Sequence, residues 1–360
     1  MAACPSCGAE ATAGHSCLDA LTVAAPASVS RDASAAVTEQ MSLAAVAATR
    51  LVSDPLLPDV IGGYRLEFVA GTGGMGSVYR ARHVQSGEVV ALKVMKRSLA
   101  SDPRVMQRAM RELEACSRVR HHSVVSSLAS GTLPDGRPWL ATPFLEGKPL
   151  DLLLAGHRRL PWQLSVPVIA ALAEALDAAH VAGVVHRDVK PANVFVTTAP
   201  AVKLIDFGLA LLGDPDVGIQ QTTEQSLAGT ADFVAPEQAL GLALDARSDL
   251  YALGITAFQL LTGRLPFSAP SSTAILRKQV FEEAPRVRAE VPDVPRALDA
   301  LVADLLAKKP GDRPSTAAAV RARVESIRFV APSGEGSLEE LARGWALNHR
   351  PGFFARLLAR

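Results

Sequence analysis

The sequence predicts an α+β protein in which a β-rich part, residues 61–145, precedes a larger helical part, residues 146–327. The run Glu88–Met95 is rich in valine, follows a glycine-rich stretch and is typical of a strand. Apolar residues within 104–116 recur at helical spacing and predict one helix in the β-rich part. Apolar residues from Leu164 to Val185 keep the same spacing and predict the long helix of the second part.

The composition indicates a packed globular protein. Of the 360 residues, 49% are hydrophobic and 20% are charged, and the length exceeds one ordinary domain. The net charge of +1 argues against a nucleic-acid-binding surface or a polybasic anchor. The longest apolar stretch is interrupted by Glu174, Asp177 and His180, so it falls short of a transmembrane span of ~18 uncharged residues. The N-terminus lacks the basic start and apolar core of a secretory signal, and we expect a soluble cytoplasmic protein.

One short stretch concentrates the residues with the clearest chemistry. His-Arg-Asp at 186–188 is followed by Lys190 and Asn193, and Asp-Phe-Gly follows at 206–208. Phosphoryl transfer from ATP needs little covalent assistance, so its catalysis consists of positioning and charge neutralisation. The reaction requires a base that orients the acceptor hydroxyl, and Asp188 is the candidate. Lys190 would supply the cation for the γ-phosphate. Asn193 and Asp206 would supply two oxygen ligands for Mg²⁺.

This pattern resembles the catalytic loop and the metal-binding turn of the bacterial eukaryotic-like (Hanks-type) Ser/Thr protein kinases. The resemblance runs from Tyr64 to Ile327 and implies a two-lobed protein kinase fold, with residues 61–145 as the small lobe and 146–327 as the large lobe. It implies Mg²⁺ and ATP as cofactors and proteins as substrates. Lys190, two residues after Asp188, favours serine or threonine as the acceptor.

The glycine-rich stretch from Phe68 to Tyr79 fits the pattern G-x-G-x-x-G-x-V. Dinucleotide-binding folds use similar glycines before a long helix, but here a strand that carries Lys93 follows. We therefore expect a hairpin lid whose backbone N–H groups approach the triphosphate, while Lys93 bridges the α- and β-phosphates. The residues expected around the phosphates are Ala70, Gly71, Thr72, Gly73, Gly74, Met75, Gly76, Ser77 and Val78.

Lys93 needs a carboxylate to orient it, and Glu112 is the candidate, nineteen residues later. Glu112 shares a helix face with Cys116, whereas Glu114 points elsewhere. The alternative is that Glu112 belongs to an ordinary surface pair.

By resemblance, the hinge between the lobes lies within residues 136–147. The Pro143 carbonyl and the Leu145 N–H would hold the adenine base. Around the base the resemblance places Thr142 at the back of the pocket and Ala91, Val78 and Phe195 as its walls.

Three further segments resemble structural parts of the family. Residues 229–237 resemble the end of an activation segment, with Phe233 in place of the usual tyrosine. Asp249 resembles the aspartate that supports the catalytic loop. Arg313 resembles the arginine that pairs with Glu237, since buried carboxylates need a partner.

The activation loop carries Thr222 and Thr223, which are candidate autophosphorylation sites whose phosphate would pair with Arg187. It also carries Glu224, whose charge could partly substitute for a phosphate. Both interpretations stay open. Autophosphorylation would be consistent with dimerisation.

The ends of the chain form three further segments. Residues 1–20 resemble a degenerate zinc ribbon, residues 21–60 a flexible linker, and residues 328–360 a short helical tail. The first segment offers a Cys₃His set of ligands for Zn²⁺: Cys4, Cys7, His15 and Cys17. The spacing between the last two ligands is unusually short, since a single residue separates them. The alternatives are a degraded ribbon and a reactive dithiol.

Two other function classes are alternatives to a kinase that acts in signalling. A pseudokinase or scaffold would bind partners without transfer, which the joint presence of Lys93, Asp188 and the two metal ligands argues against. A small-molecule phosphotransferase would not need a segment such as 229–237, which suits a polypeptide acceptor.

Overall fold

The computed structural model describes residues 57–72, 76–97, 117–157, 159–199, 201–206 and 231–327. Several predicted features lie outside these residues: Glu112, the tip of the glycine lid at 73–75, Thr222, Thr223, the Cys4–Cys7–His15–Cys17 set and the 328–360 tail.

The first part of the described chain is an antiparallel sheet in the strand order β1-β2-β3-β4-β6-β5. Its strands are β1 (Val60–Ile61), β2 (Tyr64–Thr72), β3 (Gly76–His83), β4 (Val89–Met95), β5 (Ala129–Thr132) and β6 (Pro138–Pro143). Strand β1, which precedes Gly62, was not predicted from the sequence. Its two residues are too few to show an alternating pattern, and it pairs with β2 across Gly62 and Gly63, which both have positive φ.

One face of this sheet forms the core of the small lobe. In β4 the side chains of Val90, Leu92 and Val94 are buried, while Val89, Ala91 and Lys93 are partly exposed. Trp139 of β6 closes the core beside Tyr64 of β2, with ring centroids 6.2 Å apart. The alternation of side chains along β4 therefore fixes which face of the sheet carries Lys93.

The second part is mainly helical and contains a three-stranded sheet in the order β7-β8-β9. The strands are β7 (Gly147–Pro149), β8 (Val194–Thr197) and β9 (Val202–Leu204). The described helices are α1 (Leu150–His157), α2 (Trp162–Val181), α3 (Pro236–Ala239), α4 (Ala246–Thr262), α5 (Ser272–Phe281), α6 (Val287–Glu290), α7 (Arg296–Leu305) and α8 (Ala317–Glu325). Short 3₁₀ turns cover Pro191–Asn193, Ala231–Phe233 and Pro310–Asp312.

Helix α2 is shorter than predicted, because it ends at Val181 and not at Val185. Ala182 caps the last turn and Gly183 takes a positive φ of 76°, which turns the chain toward the next segment. Among the described helices, α2 alone has the length and hydropathy of a membrane span, and 56% of its apolar window is buried inside the protein. Burial on this scale is typical of a core helix, so the match is weak evidence for a span.

Helix α4 lies at the centre of the large-lobe core. Asp245 caps its N-terminus by accepting a hydrogen bond from the Arg247 N–H, and Gly263 ends it with φ 77°. Thirteen of its seventeen residues are buried. A helix that is apolar on every side must be surrounded by protein, and α2 and α7 both pack against it.

Candidate active site

The catalytic loop brings Asp188, Lys190 and Asn193 together. Lys190 Nζ lies 2.8 Å from Asp188 Oδ2. The Asn193 amide donates to both the Asp188 carbonyl and Asp188 Oδ2, each at 2.8 Å. Asn193 is 7% exposed because it closes a 3₁₀ turn that follows Lys190. The spacing in the sequence therefore predicts residues that do meet in space.

The opposite oxygen of Asp188 has no such contact. Asp188 Oδ1 is buried and, within the described residues, has no hydrogen-bond partner. A buried acceptor without a partner is costly, roughly 1–3 kcal/mol, and in a native structure it points to a functional use. An acceptor hydroxyl donating to this oxygen would satisfy it.

Lys93 and Asp206 connect the two lobes. Lys93 Nζ donates to Asp206 Oδ2 at 2.9 Å, and the two side chains are 15% and 37% exposed. Burial would raise the pKa of Asp206, but the charge and hydrogen bond of Lys93 outweigh it and hold the pKa below its usual value. Asp206 is therefore ionised at neutral pH, as a ligand for Mg²⁺ must be.

The backbone of the site is strained at two positions. Arg187 and Asp206 have φ of 66° and 61°, and in the described chain they are the only residues other than glycine with positive φ. Such a conformation disfavours residues with a Cβ and persists only where surrounding contacts enforce it. At Arg187 the enforcing contact is visible: its N–H donates to Asp249 Oδ1 at 2.7 Å.

Asp249 holds the catalytic loop as the sequence predicts. It is fully buried in the first turn of α4, and its Oδ2 accepts a hydrogen bond from the His186 N–H at 2.8 Å. The same oxygen lies 2.8 Å from His180 Nε2. One carboxylate thus fixes two consecutive backbone amides next to Asp188.

His186 links the catalytic loop to the segment that carries Asp206. The Asp188 N–H donates to His186 Nδ1 at 3.2 Å, so the ring proton is on Nε2, which lies 3.0 Å from the Ile205 carbonyl. The Ile205 N–H in turn donates to the Asn193 carbonyl at 2.9 Å. The base and both predicted metal ligands are therefore held in one frame.

The glycine-rich stretch forms a hairpin, as predicted, and does not open a helix. Strands β2 and β3 pair antiparallel with Gly71 opposite Val78 and Thr72 opposite Ser77. Val78 is in turn opposite Lys93 in β4. A Cβ at Gly76 would lie 2.3 Å from the Val94 carbonyl oxygen, so glycine is required where β3 approaches β4.

Of the residues predicted around adenine, the structure brings Ala91 and Thr142 together in this sheet. Ala91 is opposite Thr142 in the β4–β6 pair, and Thr142 Oγ1 lies 3.4 Å from the Ala91 carbonyl. Pro143 ends β6, and Leu145 follows two residues later, before β7. Phe195, which pairs with Pro149 of β7, is 9% exposed.

Arg313 and Glu237 form the buried pair that the sequence predicts. Two parallel hydrogen bonds of 2.7 and 2.8 Å join the guanidinium to the carboxylate, and Ser248 Oγ donates to Glu237 at 2.7 Å. Burial would raise the pKa of Glu237, but the bonds from Arg313 and Ser248 lower it. The pair fixes α3, and with it the end of the activation segment.

Sequence reasoning missed a second polar chain that reaches the activation segment. Gln279 of α5 donates to the Asp232 carbonyl at 2.7 Å, and its Oε1 accepts from Tyr251 Oη at 2.6 Å. Lys308 Nζ donates to Tyr251 Oη at 3.2 Å and to the Gln279 carbonyl at 2.8 Å. Gln279 is 1% exposed, and its polar side chain within a helix was the one local signal of such a role.

His180 was also missed as a functional residue, since it interrupts the apolar pattern of α2 and gives no other sign. It lies in the last turn of that helix. Its contact with Asp249 places it behind the catalytic loop.

Comparisons with known proteins agree with this geometry. Residues 64–324 match the family model described as "Protein kinase domain". The chain is 38% identical to serine/threonine-protein kinase Pkn1 of Myxococcus xanthus over 93% of its own length and 48% of that protein. It is 35% identical to PknB of Mycobacterium tuberculosis over 75% of its own length and 43% of that protein. The chain thus spans about half the length of these curated relatives.

Solved structures show the same likeness. The kinase domain of PknI from Mycobacterium tuberculosis superposes with a TM-score of 0.61 at 28% sequence identity. The superposition covers 76% of this chain and 99% of that one.

Proposed function

The chain belongs to the protein kinase family, with bacterial Hanks-type Ser/Thr kinases among its relatives, and on this basis we propose the step that its site performs. Asp188 orients a serine or threonine hydroxyl of a protein, and that oxygen attacks the γ-phosphorus of ATP. The bond from the γ-phosphorus to the bridging oxygen of ADP breaks. The hydroxyl proton passes to Asp188, and Lys190 neutralises charge on the transferred group.

One observation carries this assignment. Asp188 has one oxygen bound to Lys190 and Asn193 and the other buried without a partner in the described part of the chain. The first oxygen fixes the carboxylate, and the second is left to receive the hydroxyl.

The residues present fit the Mg²⁺ that the family uses with ATP. The Asn193 amide nitrogen is engaged by Asp188, which leaves its oxygen available, and Asp206 is an ionised carboxylate. Oxygen ligands of this kind are those that Mg²⁺ prefers, and the ion would supply neutralisation of phosphate charge. Lys93 would move from Asp206 toward the phosphates.

The test is transfer of labelled phosphate from ATP to a generic basic protein in the presence of Mg²⁺. We expect Asp188→Asn and Lys93→Met each to lower the rate by more than ~10²-fold, since each removes a general-base or charge-stabilising contribution. Asp293→Asn, an exposed change between α6 and α7, serves as the control and should keep the parent rate. Parent rates in Asp188→Asn, with an unchanged circular dichroism spectrum, would contradict the assignment.

Several finer proposals rest on the sequence. We propose autophosphorylation on Thr222 or Thr223, with dimerisation bringing two copies of the chain together. We also propose that the protein acts in the cytoplasm, where ATP is available.

We also propose Zn²⁺ binding by the N-terminal cysteines, which zinc analysis of Cys4→Ser/Cys7→Ser would test. Less than about half an equivalent of zinc in the parent protein would contradict it.

The scaffold alternative has no supporting observation. The described residues of a phosphotransfer site are all present and lie in contact: Lys93 with Asp206, and Asp188 with Lys190 and Asn193.

A further inference from the structure

A cluster of two histidines and a glutamate lies away from the active site. His121 and His122 are consecutive residues of the loop that precedes β5, and Glu174 belongs to α2. One ligand atom from each residue can be chosen so that all three lie within 4.8 Å of one another. His122 Nε2 is 3.4 Å from Glu174 Oε2, and the two imidazole rings have centroids 4.2 Å apart.

The loop that carries the histidines is held firmly against the large lobe. The Leu204 N–H of β9 donates to the Ser123 carbonyl at 2.8 Å, and the Val125 N–H donates to the Leu204 carbonyl at 3.1 Å. Lys203 Nζ donates to the His122 carbonyl. Both histidines therefore have a fixed backbone beside a glutamate on a rigid core helix.

We propose that His121, His122 and Glu174 bind a divalent zinc ion. Two imidazoles and one carboxylate are a set of ligands that Zn²⁺ accepts, with a fourth position left for water. Ligands 2.0–2.1 Å from a tetrahedral zinc lie roughly 3.3 Å apart, so the ligand atoms need to close by at most about 1.5 Å. His122, whose side chain is 73% exposed, has the freedom to make that movement.

The surroundings set the strength of the site. In favour of binding, the Glu174 carboxylate lies close to both imidazoles. One hydrogen bond opposes binding, because the Ser123 N–H donates to His121 Nδ1 at 3.2 Å. If His121 Nε2 binds the metal, Nδ1 carries the ring proton and this hydrogen bond is lost. The positive charges of Lys203 and Arg321 also oppose a cation.

Arg321 can yield its place beside Glu174. It lies 3.8 Å from Glu174 Oε1, but only 3.3 Å from Glu325, one turn later in α8. Zinc would replace this long contact while Arg321 kept its nearer partner.

Zinc at this position would connect the loop to α2 directly. The loop already pairs with β9, and β9 leads within two residues to Asp206. The metal would thus stiffen the segment that positions a residue of the active site.

The test uses the 360-residue chain with Cys4→Ser, Cys7→Ser and Cys17→Ser, so that an N-terminal zinc does not contribute. After metal removal, titration calorimetry with zinc chloride, without nucleotide or Mg²⁺, should show one equivalent bound. His122→Gln and Glu174→Gln should each weaken the affinity at least ~10-fold, because loss of even an outer partner of a metal ligand has that effect. X-ray absorption should show only nitrogen and oxygen ligands, the nearest at about 2.0–2.1 Å.

His83→Gln is the matched control, since His83 is another partly exposed histidine of the same lobe and contacts Ser86 instead. It should keep the parent affinity. No stoichiometric binding in the chain that carries the three cysteine substitutions, or equal affinity of His122→Gln and its parent, would overturn the proposal. The cluster would then be a hydrogen-bonded contact between the loop and α2. Kinase activity without added zinc should be equal in all these variants, so the result is independent of the kinase assignment.

Discussion

Arg313 uses every hydrogen-bond donor of its guanidinium inside the large lobe. Two bonds go to Glu237, and the others go to the backbone carbonyls of Arg247, Ala307 and Lys308. The Arg313 side chain is 0% exposed and that of Glu237 is 5% exposed. A planar group with five donors matches this site, whereas lysine, with three donors on one nitrogen, cannot satisfy it.

We expect Arg313→Ala to lower the free energy of unfolding by about 3–5 kcal/mol, because it leaves the Glu237 carboxylate buried without its partner. Urea denaturation measures the change. The control is Arg323→Ala, which breaks a 2.8 Å pair with Asp304 whose side chains are 40% and 50% exposed. That exposed pair should contribute about 0–1 kcal/mol. Similar losses in the two variants would contradict the argument from burial.

Lys308 gives the protein a stability that depends on pH. Its Nζ lies 4.2 Å from the centre of the Phe267 ring, and within the described residues it has no ion pair. Burial lowers the pKa of Lys308 from 10.5 to about 8. Below pH 8 the folded and unfolded chains both hold the proton, and between pH 8 and 10.5 the unfolded chain holds more of it. The contribution of Lys308 to the free energy of unfolding therefore rises with pH across this window.

Lys308→Met tests this dependence. The free energy of unfolding of the parent minus that of the variant should increase between about pH 8 and 10.5, and it should be constant below about pH 7. Urea denaturation at several pH values measures this difference. The contributions of the other titrating groups are the same in the two proteins and cancel in the difference. A difference that stays flat up to pH 10.5 would show that Lys308 keeps its ordinary pKa.

At the scale of secondary-structure elements, the sequence predicted the residues that the chemistry requires and the helix whose apolar residues are periodic. Asp188, Asn193 and Lys93 were found because phosphoryl transfer needs those groups at that spacing, and α2 because its apolar residues repeat. Strand β1 was missed, since two residues show no period. Gln279 and His180 were missed because each depends on a partner distant in the sequence, which no local pattern reports.

The β3–β4 contact at Gly76 can be tested directly. Gly76→Ala should lower the free energy of unfolding by about 1–3 kcal/mol and raise the KM for ATP, because the new Cβ would push the lid strand away from the Val94 carbonyl. Gly311→Ala is the control, since a Cβ there has no heavy atom within 4 Å. An unchanged KM in Gly76→Ala, or equal destabilisation in the two variants, would argue against the close approach as the reason for glycine.

At the scale of the whole molecule, the central question is whether one copy phosphorylates another. We expect the parent enzyme to phosphorylate the Asp188→Asn variant, which cannot modify itself, with phosphate on Thr222 or Thr223. Mass spectrometry of the variant after incubation locates the sites.

Asp188→Asn/Thr222→Ala/Thr223→Ala is the matched substrate control and should accept much less phosphate. If phosphate is found only outside residues 209–231, the activation-loop proposal fails. Glu224 then becomes the better explanation for how Arg187 is neutralised.

The two ion pairs of the cleft have a consequence for how ATP arrives. Lys93 with Asp206 and Lys190 with Asp188 are four side chains whose charges sum to zero. Paired opposite charges cancel at distances beyond their separation, so these four side chains do not draw a nucleotide in from afar. Dissolved salt mainly weakens attractions that act beyond about 8 Å at physiological ionic strength. The contribution of these groups to the rate at which ATP reaches the site should therefore change little with ionic strength. The site distinguishes ATP from other molecules only when the ATP phosphates displace Lys93 from Asp206.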